Sequence, residues 1–523
     1  MLRDSLSRRV LFSFYFLLIH EVLLTSGKVK YVLTSKGPIV GQEVETNAHQ
    51  THTTFFGVPY AQVDENNPFG KTLPYPTFTT PFNASDPNIM CPQVILREGG
   101  IIQCLRLNIY APPTPINNAV PLSVFVWFHG GGLAFGSAGE YNATHLVQEN
   151  VIVITANYRL GPYGFLCTSD IKNQGLEDMK TALKWIKKEI SAFGGDSRRV
   201  TIAGESWGGS AVDYLLYDDD AYFNKAIIQS GPRFSYAVSS RRDTVILIKL
   251  AERLGHTTSN YKDALKFLST ANPIEVMRAY NSFDYVFGIC EEKGDFKLKL
   301  NAKYAERIKN TPIMIGFTSK ETFEDIASKP DSYYATVEDD FFNSLGKVFD
   351  LRNETLRNVA NKVWKFYLGD KPISKDAMLE IIDLSSDFQE NYGTERSVTN
   401  FLKMGNPKVY KYVYSYIGES PYKNVTGVGA YHTQELPLLF EWWTQLKTEE
   451  EFKMRQWLVK LWMNFVKYGD PTPNHGDYGW LPTNLTTRSY LNIDVKSEMK
   501  NNVYQQRMAF WEQLWTDYGQ YRT

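Results

Sequence analysis

The stretch from Val200 to Leu216, VTIAGESWGGSAVDYLL, contains the feature that decides the fold. A short apolar strand runs into Gly204-Glu205-Ser206-Trp207-Gly208, which matches the pattern G-x-S-x-G, and a helical stretch follows. Glycines on both sides of a serine permit a strained turn that lifts the serine hydroxyl clear of a sheet. The pattern alone is weak, but its strand–turn–helix context predicts that Ser206 is a nucleophile.

The chain around this turn alternates between predicted strands and helices. Leu122 to Phe128 (LSVFVWF) is a continuous apolar run, and apolar residues from Leu176 to Ile190 recur every three or four positions, as they do on one face of a helix. Further strands are expected at 151–158, 200–203, 225–230, 313–316 and 409–417. The alternation predicts an α/β fold with a central, mostly parallel sheet and helices on both faces. Functional loops are then expected at the carboxyl edge of the sheet.

A glycine run follows one predicted strand directly, in the segment His129-Gly130-Gly131-Gly132. A serine nucleophile needs a base for its proton and donors for the oxyanion that forms during attack. Glycines let backbone N–H groups approach a substrate closely. A flexible turn is the alternative, but the position directly after a buried strand favours an oxyanion hole formed by the N–H groups of Gly131, Gly132 and Trp207.

Composition and charge limit the classes of function. The chain has 523 residues, 43% hydrophobic and 22% charged, with a formal net charge of -1. This balance is typical of a globular protein with a large core. The absence of a strongly basic stretch gives no support to nucleic-acid binding. Because the sequence contains no internal repeat and no linker, residues 27–523 are predicted to form one domain.

The first residues resemble an export signal. Arg3, Arg8 and Arg9 precede an apolar run at 10–19, and small residues follow at 25–27. This order predicts a signal peptide over residues 1–26 and a secreted, extracellular protein. A membrane anchor is the alternative, but the run is short for a bilayer core of about 30 Å. We expect no membrane anchor.

Glycosylation motifs and cysteines agree with export. Five Asn-x-Ser/Thr motifs occur, at Asn83, Asn142, Asn353, Asn424 and Asn484. In an oxidising compartment Cys91 and Cys104 could close a short disulfide loop. Cys167 and Cys290 have mainly apolar or uncharged neighbours, which favours buried free thiols.

Several further segments occur in the order known from one family. The chain resembles the type-B carboxylesterases and cholinesterases of the α/β-hydrolase superfamily from about Lys30 to Trp515. Besides the serine turn and the glycine run, the matching segments are Phe56-Gly57-Val58-Pro59-Tyr60-Ala61, Asn157-Tyr158-Arg159, Phe193-Gly194-Gly195-Asp196 and Gln229-Ser230-Gly231.

The resemblance implies the other members of a catalytic triad. The family's acid follows a strand that ends in glycine, and Glu321 occupies that position here, with Glu324 and Asp325 as competing acids. The family's histidine precedes a Glu-Leu pair, as His432 does. The resemblance therefore implies an esterase that uses Ser206, Glu321 and His432, forms an acyl-enzyme and needs no metal and no organic cofactor. Its expected partner is a small-molecule ester, and the oligomeric state stays unknown.

Two departures from the family bear on specificity. Trp207 stands where the family usually has alanine, so its ring either narrows the acyl pocket or fills space that smaller neighbours leave. The segment between Cys91 and Cys104 contains no tryptophan, whereas cholinesterases use one in that loop to bind a quaternary ammonium by cation–π attraction. This absence argues against a specialist for choline esters.

A different class of function remains as the alternative. The family includes adhesion proteins, similar to neuroligins and neurotactin, that kept the fold and lost the triad. All three triad positions are occupied here, which favours an enzyme over a weakly active or inactive secreted binding protein. A lipase would share the same catalytic groups, and the sequence does not separate it from an esterase.

Overall fold

The computed structural model describes residues 28–46, 50–113, 120–218, 220, 222–235, 238–240, 242–283, 287–291, 302–474 and 479–519. The predicted signal peptide, residues 1–26, lies outside the described residues. None of the helices that the structure describes combines the length and the apolar character needed to span a bilayer.

Most strands of the described residues belong to one large sheet, whose central strands are buried on both faces. The strands are β1 (Val29–Thr34), β2 (Gly37–Glu45), β3 (Thr51–Pro59), β4 (Phe82–Asn83), β5 (Arg106–Ala111), β6 (Leu122–Phe128), β7 (Ile152–Ala156), β8 (Gly195–Glu205), β9 (Lys225–Gln229), β10 (Ser239–Ser240), β11 (Ile289–Cys290), β12 (Ile313–Thr318), β13 (Val409–Tyr414), β14 (Ser489–Ile493) and β15 (Glu498–Asn501).

The order of the strands places a parallel block at the centre of the sheet. Across the described residues the order is β1-β2-β3-β5-β7-β6-β8-β9-β12-β13-β14-β15, with β4 beside β2, and β10 pairs with β11 separately. The strands from β7 to β14 in this order pair in parallel, whereas the outer pairs β1–β2, β2–β3, β3–β5, β5–β7 and β14–β15 are antiparallel. The predicted mostly parallel sheet is confirmed.

Helices connect these strands. They are α1 (Thr144–Val147), α2 (Gly161–Phe165), α3 (Gln174–Glu189), α4 (Trp207–Leu215), α5 (Val245–Arg253), α6 (Tyr261–Thr270), α7 (Pro273–Asn281), α8 (Ala302–Asn310), α9 (Phe323–Ala327), α10 (Val337–Phe349), α11 (Asn353–Leu368), α12 (Met378–Ser386), α13 (Tyr392–Lys403), α14 (Leu436–Leu439), α15 (Glu449–Tyr468) and α16 (Gln505–Tyr518). A π-helical turn, Asp387–Asn391, joins α12 to α13.

Two apolar cores lie on opposite faces of the sheet. In β6, Val124 and Val126 belong to one core, and Phe125 and Trp127 belong to the other. Successive side chains of a strand point to opposite faces, so this division assigns each core to one face. Helices α3 and α4 contribute to the first core, and α15 contributes to the second. The predicted helices on both faces are therefore confirmed.

A third core lies among helices rather than on the sheet. Residues of α9 to α12 pack there with Trp511 and Leu514 of the last described helix, α16. Phe323, which follows the acid candidate by two positions, is fully buried in this core. The third core thus connects the C-terminal helix to the segment after β12.

Some element bounds differ from the sequence expectation. The strand expected at 409–417 ends at Tyr414, because the N–H groups of Ser415 and Tyr416 both donate to the carbonyl of Ile493, at 2.8 and 3.1 Å, and this ends the regular ladder. The helix expected to reach Ile190 ends at Glu189 and continues as a 3₁₀ turn.

The cysteines form two disulfides. Cys91 is joined to Cys104, as the sequence suggested. The expectation of free thiols at Cys167 and Cys290 is wrong, because these two residues form a second disulfide across 123 positions of the chain. Cys290 lies in β11 and is brought to Cys167 by the fold, and no local sequence pattern indicates such a distant pairing.

Candidate active site

The serine turn adopts the strained geometry that its glycines permit. Ser206 lies between the end of β8 and the start of α4, with φ 56° and ψ -136°. Such a conformation is costly for a residue with a side chain and is typical of functional turns. A Cβ atom at Gly208 would lie 2.4 Å from the carbonyl oxygens of Phe128 and His129, so only glycine fits there.

The glycine run packs directly against this turn. A Cβ atom at Gly130 would lie 2.8 Å from the carbonyl oxygen of Glu205 and 3.0 Å from Cβ of Ser206. Gly131 and Gly132 have φ values of 94° and 59°, which favour glycine. The two backbone segments predicted to form the oxyanion hole therefore lie side by side.

His129, which precedes the glycine run, is a buried and weakly basic histidine. Its ring is buried and stacks on Tyr158 with 4.5 Å between ring centroids. The Tyr158 hydroxyl donates to the His129 carbonyl at 2.6 Å. Burial lowers the pKa of His129 to about 4, so the ring is neutral at physiological pH.

Glu321 and His432 form a direct pair, in which the carboxylate is buried and the imidazole is partly exposed. Nδ1 of His432 lies 2.7 Å from Oε2 of Glu321, and the His432 backbone N–H donates to the Glu321 carbonyl at 3.0 Å. The other carboxylate oxygen, Oε1, accepts bonds from the Ser230 hydroxyl at 2.7 Å and from the Thr318 N–H at 2.6 Å. These partners fix the carboxylate in position and compensate for its burial. Of the two competing acids, Asp325 is exposed and Glu324 lies half-buried on α9.

A second carboxyl group reaches the imidazole from the serine turn. Oε1 of Glu205 lies 3.2 Å from Nε2 of His432. Burial raises the pKa of Glu205 to about 8, against the opposing effect of His432. Burial alone would lower the pKa of His432, but the carboxyl groups of Glu205 and Glu321 raise it well above its ordinary value. The sequence placed Glu205 in the motif and gave no sign that its side chain faces the histidine.

Two more buried carboxyl groups surround the histidine. Glu435 accepts a bond from Gln229 Nε2 at 2.8 Å, and burial raises the pKa of Glu435 to about 6. Glu390, in the π-helical turn, accepts a bond from the Ser235 hydroxyl, and burial raises its pKa well above the usual range. Sequence reasoning missed Ser230, Glu390 and Glu435 as site residues. The contact of Ser230 with Glu321 and the proximity of Glu390 to His432 arise only from the fold, and the three-residue spacing of Glu435 from His432 does not by itself indicate a buried carboxyl group.

The fold and these groups define an α/β-hydrolase in which a buried glutamate pairs with a partly exposed histidine beside a serine turn. A family model described as "Carboxylesterase family" matches residues 28–511. The chain is similar to Esterase FE4 of Myzus persicae, with 29% identity over 488 residues that cover 86% of each chain. It is similar to Venom carboxylesterase-6 of Apis mellifera, with 27% identity over 556 residues that cover 96% of this chain and 98% of that protein. Liver carboxylesterase 1 of Oryctolagus cuniculus is 27% identical over 445 residues, covering 79% of this chain and 77% of that protein.

This chain therefore belongs to the carboxylesterase family. The resemblance drawn from its motifs is confirmed over nearly the whole chain, and the protein is an ester hydrolase of that family.

The raised pKa of Glu205 predicts how stability depends on pH. The folded protein keeps a proton up to about pH 8 on a carboxyl group whose ordinary pKa is 4.5. A raised pKa in the folded state means that the free energy of unfolding falls as pH rises toward that value. The raised pKa of His432 likewise makes the free energy of unfolding fall as pH rises. The lowered pKa of His129 acts in the opposite direction, but this contribution fades above pH 6.5 as the ring in the unfolded state loses its proton, and it is the same in both proteins compared below.

Glu205→Gln should accordingly lose less stability than the wild type between pH 6.5 and pH 8. The difference in slope is bounded by about 1.4 kcal/mol per pH unit for one proton. Urea unfolding of both proteins at several pH values in this window measures it. Equal slopes for the two proteins would contradict the assignment of a raised pKa to Glu205.

Proposed function

We propose that the protein is a secreted serine esterase that cleaves carboxylic esters through Ser206, His432 and Glu321. The observation that carries the proposal is the 2.7 Å contact between His432 Nδ1 and buried Glu321, next to a strained turn that holds Ser206. The contact between His432 Nε2 and Glu205, the residue before Ser206, supports the approach of the imidazole to the serine turn. Membership of the carboxylesterase family supports the same chemistry.

The pair assigns a role to each nitrogen of the imidazole. A proton on Nδ1 is held by Glu321, which leaves the lone pair of Nε2 available as a base. Nε2 takes the proton from Ser206 Oγ, and Oγ bonds to the ester carbonyl carbon while the carbonyl electrons move to oxygen. The imidazolium then gives its proton to the leaving alcohol oxygen as the C–O bond breaks. Water attacks the acyl-enzyme by the same sequence and releases the acid.

Backbone groups beside the serine are suited to stabilise the oxyanion. The N–H groups of Gly131, Gly132 and Trp207 donate to no backbone carbonyl within the part of the chain that the structure describes. Trp207 is also the first residue of α4, whose N-terminus favours negative charge. Each such donor contributes about 10²–10³-fold to turnover.

The arrangement of carboxyl groups favours the charged intermediate. His432 becomes an imidazolium during attack, and Glu321 stabilises that charge directly. Glu205 faces the other nitrogen, so its carboxyl group adds to the same stabilisation when ionised. The raised pKa of His432 has the same cause. A base with a raised pKa accepts the serine proton more readily but is neutral only at higher pH.

Export remains part of the proposal. The residues of the predicted signal peptide are not described, and the support comes from the two disulfides and from the sequence. Of the five glycosylation motifs, Asn83, Asn353, Asn424 and Asn484 are exposed. Asn142 differs, since its side-chain Nδ2 donates to Glu441 at 2.8 Å. We propose that the four exposed sites carry glycans and that Asn142 does not.

Labelling with a fluorophosphonate probe tests the proposed nucleophile. The wild type should react with the probe and hydrolyse a short-chain aryl ester, and Ser206→Ala should lose both, with turnover falling by about 10⁴-fold or more. Ser328→Ala, which changes an exposed serine outside the site, serves as the matched control and should keep full labelling. A folded wild type that resists the probe would favour a binding protein without catalysis.

The ring of Trp207 is expected to limit the length of the acyl group that the site accepts. Its side chain is 5% exposed and belongs to the apolar core on the α4 face of the sheet. Trp207→Ala should raise kcat/KM for hexanoyl over acetyl aryl esters, because the removed ring leaves room beside Ser206. Trp443→Ala, at an exposed tryptophan, is the control and should leave the ratio unchanged. An unchanged ratio in Trp207→Ala would show that the ring does not border the acyl pocket.

Expression of the full chain in a eukaryotic secretion host tests export. The mature protein should appear in the medium with an N-terminus near residue 27 and with glycans on Asn83, Asn353, Asn424 and Asn484. Peptide mass spectrometry measures both properties. Retention in the cells with Met1 or its neighbours still present would contradict secretion, and a fully occupied Asn142 would contradict the assignment for that site.

A further inference from the structure

Three hydrogen bonds join the acid turn to the histidine loop. The acid turn is defined as residues 319–321, and the histidine loop as residues 430–432. Ala430 N–H donates to Ser319 Oγ at 3.0 Å, Lys320 N–H donates to the Ala430 carbonyl at 2.8 Å, and His432 N–H donates to the Glu321 carbonyl at 3.0 Å. Because these bonds involve all three residues of the acid turn, we expect the acid turn and the histidine loop to shift together.

A chain of alternating charges braces the acid turn from outside. Nζ of Lys320 donates to Oδ1 of Asp383 on α12 at 2.6 Å. The same oxygen lies 2.8 Å from Nη1 of Arg507 on α16. The side chains of Lys320, Asp383 and Arg507 are 22%, 25% and 18% exposed, so the ion pairs are largely shielded from water. Shielded networks of this kind stabilise more than isolated surface pairs do.

Arg507 itself is held on its other side. Its Nε and Nη2 atoms approach the two carboxylate oxygens of Asp387 at 2.8 and 3.1 Å. Asp387 is fully buried and also accepts bonds from Tyr367 at 2.7 Å and from Asn391 at 2.8 Å. A planar guanidinium that meets one carboxylate with two nitrogens has a fixed orientation. Arg507 is therefore a rigid support for Asp383.

The neighbouring Tyr504 makes a second contact with the acid turn. Its hydroxyl donates to the Ser319 carbonyl at 2.9 Å, and the Arg507 guanidinium lies over its ring at 3.9 Å from the centroid. The segment at the start of α16 is thus linked to two consecutive residues of the acid turn. Tyr504 bonds directly to Ser319, and Arg507 is linked to Lys320 through Asp383.

We propose that Asp383 and Arg507 are positioning residues that hold the Glu321–His432 pair in its working geometry through Lys320. The inference rests on the proposed function, since it assigns that pair its catalytic role. None of the three charged side chains touches substrate in this account. Loss of Asp383 leaves Lys320 and Arg507 as facing cations, which repel each other and release the acid turn. A misplacement of about 1 Å in a catalytic group can cost 10²-fold in rate.

A double-mutant cycle on Lys320 and Asp383 tests the inference. Asp383→Asn and Lys320→Met should each lower kcat for an aryl ester by about tenfold, with KM changed by less than about twofold, because orientation of the base and not binding is affected. The double variant should lose no more than the more impaired single variant, since both changes break the contact between Lys320 and Asp383, and removing Lys320 also removes its repulsion from Arg507. Asp383→Glu retains the carboxylate and should recover most of the activity.

A matched ion pair elsewhere provides the control. Glu149→Gln breaks the 3.1 Å contact between Glu149 and Lys467. The side chains of Lys467 and Glu149 are 19% and 34% exposed, close to the values of the Lys320–Asp383 pair. This variant should keep the wild-type kcat. A folded Asp383→Asn with wild-type kcat, a loss confined to KM, or additive losses in the double variant would overturn the inference.

A spectroscopic readout separates this inference from the proposed function. In ¹⁵N-histidine-labelled protein, the Nδ1 proton of His432 should give a downfield signal from its bond to Glu321, and Asp383→Asn should shift or broaden that signal. This measurement needs no catalysis. A wild type without esterase activity would overturn the proposed function, whereas an unchanged signal in Asp383→Asn would overturn the positioning role alone.

Discussion

Both carboxylate oxygens of Glu321 are engaged inside the protein, with Oε2 on the imidazole of His432 and Oε1 on Ser230 and Thr318. A buried carboxylate is destabilising unless hydrogen bonds and an opposite charge replace the lost water. Its partners come from β12, from the end of β9 and from a loop more than a hundred residues downstream. The parallel order β8-β9-β12-β13 brings these segments to one edge of the sheet. The hydrogen bonds of this one carboxylate therefore require the strands and the two loops to keep their relative positions at the site.

The histidine lies in an unusually acidic surrounding. Four buried carboxyl groups interact electrostatically with His432. They belong to Glu205, Glu321, Glu390 and Glu435. Burial raises the pKa of Glu205 to about 8 and that of Glu435 to about 6, so part of this charge is neutralised by bound protons. The site thereby avoids several unpaired buried charges. It retains groups that can ionise when the imidazole becomes positive.

The sequence was sufficient where the determinants are local. Apolar runs such as 122–128 and the glycines around Ser206 and His129 act within a few residues, so the central strands, the serine turn and the glycine run could all be predicted. The positions of Glu321 and His432 came from resemblance to a family, and their mutual contact could not be derived from spacing.

Contacts between residues far apart in the chain could not be predicted from the sequence. The disulfide between Cys167 and Cys290 depends on a fold that brings together two residues 123 positions apart in the chain. The orientation of Glu205 toward His432 depends on the exact path of β8 into its turn. The link from Lys320 to Asp383 spans 63 positions, and each residue alone resembles an ordinary surface charge. Such pairings carry no local signal in a single chain.

A crystal structure of the protein after reaction with an organophosphate tests the central claim most directly. We expect a phosphoryl group on Oγ of Ser206, with its oxygen toward the N–H groups of Gly131, Gly132 and Trp207. We also expect Nε2 of His432 at about 3 Å from the Ser206 oxygen, within hydrogen-bond reach. An adduct on another residue, or an imidazole too far from Ser206 to exchange a proton with it, would contradict the account.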